Sequence, residues 1–150
     1  MANVSDVLQR AQQRAQTAQL PYAGALTPEE AFVLLQQLPG AVLVDVRTQA
    51  EWTFVGGVAD AVQIEWKSFP GMQPNPAFIT QLQAQVPGQA HVLFLCRSGA
   101  RSHDAAVAAT AAGFSHCYNI LEGFEGDLNS QAQRGQRGGW RYRGLPWRQS

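Results

Sequence analysis

An unbroken apolar run that ends at a cysteine constrains this chain more than any other stretch. Val92-Leu93-Phe94-Leu95 leads into Cys96-Arg97-Ser98-Gly99-Ala100-Arg101-Ser102, and an alanine-rich segment follows. Val92 to Leu95 reads as a strand buried on both faces. Arg101 to Ala112 reads as a helix stopped by Gly113, glycine being the usual residue just past a helix end. Cys96 therefore stands where a strand hands over to a helix.

That position has chemical consequences. The first N–H groups of a helix lack intrahelical partners and carry the positive end of the helix dipole, so an anion placed there is stabilised. A thiolate is such an anion, and a helix N-terminus with neighbouring arginines lowers a cysteine pKa. Arg97 and Arg101 flank Cys96 in the expected site, Ser98 and Ser102 add hydroxyls, and Gly99 lets the backbone turn tightly so that successive N–H groups, including that of Ala100, point inward as an anion nest. A buried, inert cysteine at a strand end is the competing reading, since free cysteine buries readily. The arginines, serines and glycine around Cys96 weigh against it.

Loop length narrows the chemistry. The cysteine-to-arginine spacing is one residue shorter than in a protein tyrosine phosphatase loop, which suits a reacting atom smaller than a phosphoryl group: a sulfur carried on sulfur. The segment CRSGARS, with Asp45-Val46-Arg47 upstream and Tyr118 to Phe124 (YNILEGF) downstream, resembles the single-domain rhodanese family of sulfurtransferases over residues 24–129. The resemblance implies a three-layer α/β/α fold with a central, mostly parallel sheet of about five strands flanked by helices. It also implies transfer of a sulfane sulfur from thiosulfate or a persulfide to cyanide or a thiol, small or on a protein, through a persulfide on Cys96. Residues Arg97 to Ser102 would form the binding loop, Asp45 and Arg47 would be supporting residues, and no cofactor or metal would be needed. Two departures stand out. Relatives commonly carry Gly-His-Ile where this chain has Gly56-Gly57-Val58, and two adjacent glycines followed by tryptophan where it has Glu122-Gly123.

Composition bounds the alternatives. A chain of 150 residues suffices for one domain with a hydrophobic core, and 45% hydrophobic with 15% charged residues is ordinary for a water-soluble protein. No apolar run is long enough to span a membrane and the N-terminus has no apolar signal region, so a cytoplasmic location is the expectation. Zero formal net charge argues against nucleic-acid binding. The two cysteines, Cys96 and Cys117, make neither a disulfide framework nor a metal set, and Cys117 is expected in the core.

In chain order, Ser5 to Gln19 reads as a loosely docked or frayed helix capped by Ser5, within an N-terminal extension over 1–23. Thr27-Pro28-Glu29-Glu30 starts a helix with a capping box and proline at its first position; Ala31, Leu34, Leu35 and Leu38 give it a core face. Ala41 to Val46 reads as a buried parallel strand with Asp45 and Arg47 at its carboxyl end, the end where open parallel sheets bind ligands. Gln49 to Trp52 reads as a helical turn, Val62 to Ile64 as a second strand, and Trp52, Phe54 and Trp66 as core or pocket-wall aromatics. Ser68 to Pro76 reads as a loop, with Asn75 capping a helix that begins at Pro76. His116 to Leu121 reads as a further strand.

Residues 130–150 shift to Gly, Gln and Arg, with Trp140, Tyr142, Leu145, Pro146 and Trp147 expected to dock this tail on the domain. His103, the histidine nearest Cys96 in sequence, is expected to face solvent or tune local charge rather than act as a base. Three alternatives accompany the sulfurtransferase reading: a dual-specificity phosphatase or arsenate reductase-like enzyme, a persulfide or redox sensor, and an interaction module.

Overall fold

The computed structural model describes residues 3–149. Five strands, β1 (Gly24–Leu26), β2 (Ala41–Asp45), β3 (Val62–Gln63), β6 (His91–Leu95) and β7 (His116–Ile120), form one sheet in the order β1-β7-β6-β2-β3, parallel throughout. β4 (Lys67–Ser68) and β5 (Gln73–Pro74) make a separate antiparallel hairpin, all but Lys67 of it inside the stretch read as a loop.

Side chains alternate across the sheet, and this sorts the core into two layers. Val92 and Phe94 of β6 face α4 (Phe78–Gln85) and α5 (Ala100–Ala111), while Leu93 and Leu95 face α1 (Val4–Ala18) and α2 (Pro28–Gln37). Helices on both faces of a parallel sheet make the expected three-layer α/β/α arrangement. β6 lies centrally between β7 and β2, so Cys96 emerges at the carboxyl end of the most enclosed strand. In α5, Ala105, Ala106 and Ala109 are fully buried, and such small side chains let this helix sit close on the sheet.

Several expectations are corrected. α1 is capped by Asn3, whose side chain accepts from Asp6 N, rather than by Ser5. It is also not loosely docked: Val7, Ala11 and Ala15 form a narrow buried stripe at helical spacing. The approach is so close that a Cβ on Gly24 would lie 2.8 Å from the Cβ of Ala11. Gly24 to Leu26, which carries no strand signal beside its proline–glycine break, pairs with β7 as an edge strand. Phe54 is 80% exposed instead of lining the core. α4 begins two residues later than expected: Asn75 Oδ1 accepts from Ala77 N in an Asx turn, and the helix itself has no side-chain cap.

The capping box at Thr27 and Glu30 forms as read, and Glu30 does more than cap. Its carboxylate also takes hydrogen bonds from Arg10 and Arg14 of α1, tying that helix to the start of α2. Burial alone would raise its pKa, but the bonds from Arg14, Thr27 and Arg10 hold it down at about 2, against an ordinary 4.5. A depressed carboxylate stabilises the fold above the unfolded-state pKa and loses that contribution as pH falls through the folded value. Relative to Glu30→Gln, the wild type should therefore be more stable by on the order of 2 kcal/mol at pH 7, allowing for screening around the partly exposed arginines. Urea unfolding of both proteins should show this difference shrinking between pH 4.5 and 2; a constant difference would mean that the ion pairs contribute nothing.

Candidate active site

The turn after β6 carries Cys96 back beneath the first turn of α5. Gly99, the residue preceding that helix, has φ +113°, a conformation in which a side chain would be strained. This geometry points Gly99 N at the Cys96 sulfur, 3.1 Å away. Ser102, fully buried on the first turn of α5, brings its Oγ to 3.3 Å from Sγ. Cys96 itself is only 1% exposed.

These contacts close into a ring. Ser102 Oγ donates to Asn119 Oδ1 at 2.5 Å, and Asn119 Nδ2 donates to the Gly99 carbonyl at 3.3 Å. The Gly99 carbonyl, which also takes the His103 N–H at 3.2 Å, can only accept, so the amide nitrogen of Asn119 must face it and the amide oxygen is the acceptor for Ser102. A serine hydroxyl has one proton, so with that proton on Asn119 the neutral Cys96 thiol is the donor in its contact with Ser102 Oγ. Once the thiol is ionised, the hydroxyl can turn its proton to sulfur instead. Gly99 N–H donates to the sulfur in either case.

The two arginines flanking Cys96 in sequence have different fates. Arg97 is exposed, and no side-chain bond of its own is found among the described residues. Arg101 is held by Glu51 of α3 (Gln49–Phe54), NH1 to Oε1 at 2.7 Å and NH2 to Oε2 at 3.0 Å. Burial pulls the Arg101 pKa down, but the bonds and charge of Glu51 outweigh it and hold it above its ordinary value. Burial likewise pushes Glu51 up and is outweighed by Arg101 and Thr48, leaving it below the usual carboxylate value. Ser98 is half-buried and Ala100 exposed on the loop.

Asp45 and Arg47 lie at the carboxyl end of β2 and are both fully buried. Arg47 donates through Nε and NH2 to the Asp45 carboxylate, with NH2 also reaching the Gly56 carbonyl at 2.7 Å, and its guanidinium lies over the Phe124 ring at 4.3 Å. All of these contacts tie the strand end to the bend at Gly56 and to the loop after β7, and none reaches Cys96. Gly57 faces Arg47 NH2 and Gln63 Nε2; its backbone pairs with Arg148 of the tail.

The loop over residues 122–126 forms the other wall. Phe124 N donates to the Cys96 carbonyl at 2.8 Å, and Glu125 N and Gly126 N donate to the Arg97 carbonyl at 2.9 and 3.2 Å. His103 is half-buried rather than solvent-facing: its Nδ1 lies 2.7 Å from Tyr22 OH. Cys117 is sealed beneath α5, with its thiol pushed up to about 11 by burial.

Glu51 and Asn119 escape sequence reasoning. Glu51 is visible as the far end of a Thr48–Glu51 capping box, yet its pairing with Arg101 spans fifty positions. Asn119 had one signal, a lone amide inside an apolar strand, which when buried must have partners. Among the described residues no group of three or more His, Cys, Asp or Glu side chains could hold a metal, and no helix is long and apolar enough to cross a membrane.

Comparison with known proteins agrees with the architecture. The crystal structure of Rv0390 from M. tuberculosis is 46% identical and superposes with a TM-score of 0.80, covering 86% of this chain and 99% of that one. An uncharacterized protein of Rickettsia rickettsii is 38% identical over 120 residues, spanning 79% of this chain and 91% of the relative. At 23% identity, the polysulfide-sulfur transferase homodimer from Wolinella succinogenes shares the fold with a TM-score of 0.58, covering 97% of this chain and 90% of that one. The model of the rhodanese-like domain matches residues 27–129, and the chain belongs to that family.

Proposed function

We propose that this protein is a sulfurtransferase that carries a sulfane sulfur on Cys96. The observation that carries the reading is the Cys96 sulfur at the start of α5, between the Gly99 N–H and the Ser102 hydroxyl. In the first step the thiolate attacks the outer sulfur of a donor such as thiosulfate. The new S–S bond forms as the donor's S–S bond breaks, and sulfite leaves with the bonding electron pair. The Cys96 persulfide anion replaces the thiolate in the same field of N–H groups. In the second step an acceptor, cyanide or a thiolate, attacks the outer sulfur and Cys96 leaves as thiolate. Splitting the transfer in two predicts ping-pong kinetics. The loop from Arg97 to Ser102 binds donor and persulfide, while Asp45 and Arg47 hold the surrounding backbone. The two free cysteines suit a reducing compartment such as the cytoplasm.

Intact mass tests this directly. Reduced protein incubated with thiosulfate should gain one sulfur, located on the Cys96 peptide and not on that of Cys117. Cyanide should remove it as thiocyanate. Folded, reduced protein that takes no sulfur from thiosulfate or from an organic persulfide would overturn the proposal.

A further inference from the structure

The sequence places two cations beside Cys96, but the structure leaves only one of them uncommitted. Arg101 and Glu51 meet through two parallel N–H···O bonds, and their side chains are only 12% and 16% exposed. Glu51 is itself fixed, because Oε1 also accepts from Thr48 N and Thr48 Oγ, closing the cap of α3. Handing Arg101 to an incoming anion would leave a mostly buried carboxylate without its partner, which is costly. Arg47 is paired with Asp45 in the same way. On the adjoining loop Glu122 meets Arg143, and Glu125 lies 3.8 Å from Arg141. Of the two arginines flanking Cys96, the one without an ion pair among the described residues, and so left to meet a donor, is the exposed Arg97.

We infer that Glu51 is a specificity-determining residue: by neutralising Arg101 it sets the site for donors with one negative charge, such as organic persulfides and thiosulfonates, over dianionic thiosulfate. This rests on the sulfurtransferase reading of Cys96. For a thiosulfonate the step balances as before: Cys96 sulfur bonds to the outer sulfur, the sulfur–sulfonyl bond breaks, and a sulfinate carrying one negative charge leaves with the electron pair. Sulfite would leave with two negative charges, and the paired Arg101 has no free donor fork to spare for the second. Thiosulfate is turned over on this account, but with weak binding.

The test is the ratio of kcat/KM for benzenethiosulfonate to that for thiosulfate, with cyanide as acceptor and thiocyanate as readout, in wild type, Glu51→Gln and Arg97→Gln. The wild-type ratio should favour the thiosulfonate by about tenfold or more, the scale on which local charge alters capture of an ion. Glu51→Gln keeps an oxygen for Thr48 and frees the charge of Arg101, so KM for thiosulfate should fall about tenfold and the ratio should collapse. Because the loss of one cation is felt more by a dianion, Arg97→Gln should depress thiosulfate turnover more than thiosulfonate turnover. An unchanged ratio in folded Glu51→Gln, checked by its circular dichroism, overturns the inference. Should Glu51→Gln not fold, undiminished thiosulfate turnover by Arg97→Gln overturns it equally, since Arg101 would then be the anion-attracting group. Failure of Cys96 to take sulfur from either donor is a separate result, and it removes the parent reading together with this one.

Discussion

Gly123→Ala is expected to reduce sulfur transfer by about a hundredfold or more, although residue 123 contributes no side chain to the site. Gly123 has φ +63°, and a Cβ built on it would lie 2.6 Å from the carbonyl carbon and oxygen of Arg97 and from the Cys96 carbonyl oxygen. These are backbone atoms, so no rotamer change relieves the contact. Either the 122–126 loop moves outward, breaking the bonds from Phe124, Glu125 and Gly126 to the Cys96 and Arg97 carbonyls, or the loop that begins at Cys96 is itself displaced. Both shift Sγ relative to Gly99 N–H, and a displacement of about 1 Å at a reacting atom costs on the order of a hundredfold in rate. The left-handed backbone and the overpacking together should cost about 2–4 kcal/mol in stability. Single-turnover sulfur uptake followed by mass, alongside a urea melt, checks both. Near-normal uptake would mean that the 122–126 loop can move without disturbing Cys96.

What the sequence made legible was local. The strand, the loop and α5 are contiguous, and the hydrophobic run, Gly99 and Gly113 each fix a boundary through backbone physics alone. The capping box at Thr27 is local for the same reason. Failures came where distant segments decide. β1 is three residues long and is a strand only because β7 offers it a parallel edge. α1 lacks a broad apolar stripe, yet Val7, Ala11 and Ala15 bury fully or nearly so because Gly24 lets the two backbones approach. The pairing of Arg101 is not legible in the sequence, because its partner lies on α3 and pairing depends on tertiary proximity. Counting arginines around Cys96 gives the residue types but not the ion pair that one of them makes.

The tail shows the same limit from the other side. Its arginines, which by composition could serve an acidic partner, are largely engaged within the protein. Arg134 donates to the Gly126 carbonyl and Arg137 to that of Leu128; Arg143 pairs with Glu122, and Arg141 stands over the rings of Phe124 and Trp147. Most of these partners belong to the segment that begins with the 122–126 loop. The tail therefore bears on the wall of the site, although it lies outside the residues matched by the family model.

Trp140→Ala should expose how far that bracing matters. Trp140 is fully buried, its ring edge-on to Phe32 of α2 and its Nε1 donating to the Pro146 carbonyl at 2.7 Å. Its backbone N donates to the Gly123 carbonyl; Gly139 N donates to Glu122 Oε1 and Arg141 N to the Phe124 carbonyl. Removing the indole leaves a large cavity against α2, and such truncations cost about 3–5 kcal/mol. For a domain of this size that corresponds to a fall of roughly 6–20 °C in Tm. The loss should not stop at stability. Without its anchor the 139–141 strap releases the 122–126 loop, and that loop releases the Cys96 and Arg97 carbonyls, so sulfur uptake per folded molecule should fall as well. Trp140→Phe, which refills most of the volume but cannot donate to Pro146, should recover much of the stability and most of the uptake. Melting temperature and single-turnover uptake, measured below the variant's transition, separate the two effects. A destabilised Trp140→Ala with wild-type uptake would confine the tail to holding the fold together; a joint loss would make it part of the machinery that positions the sulfur.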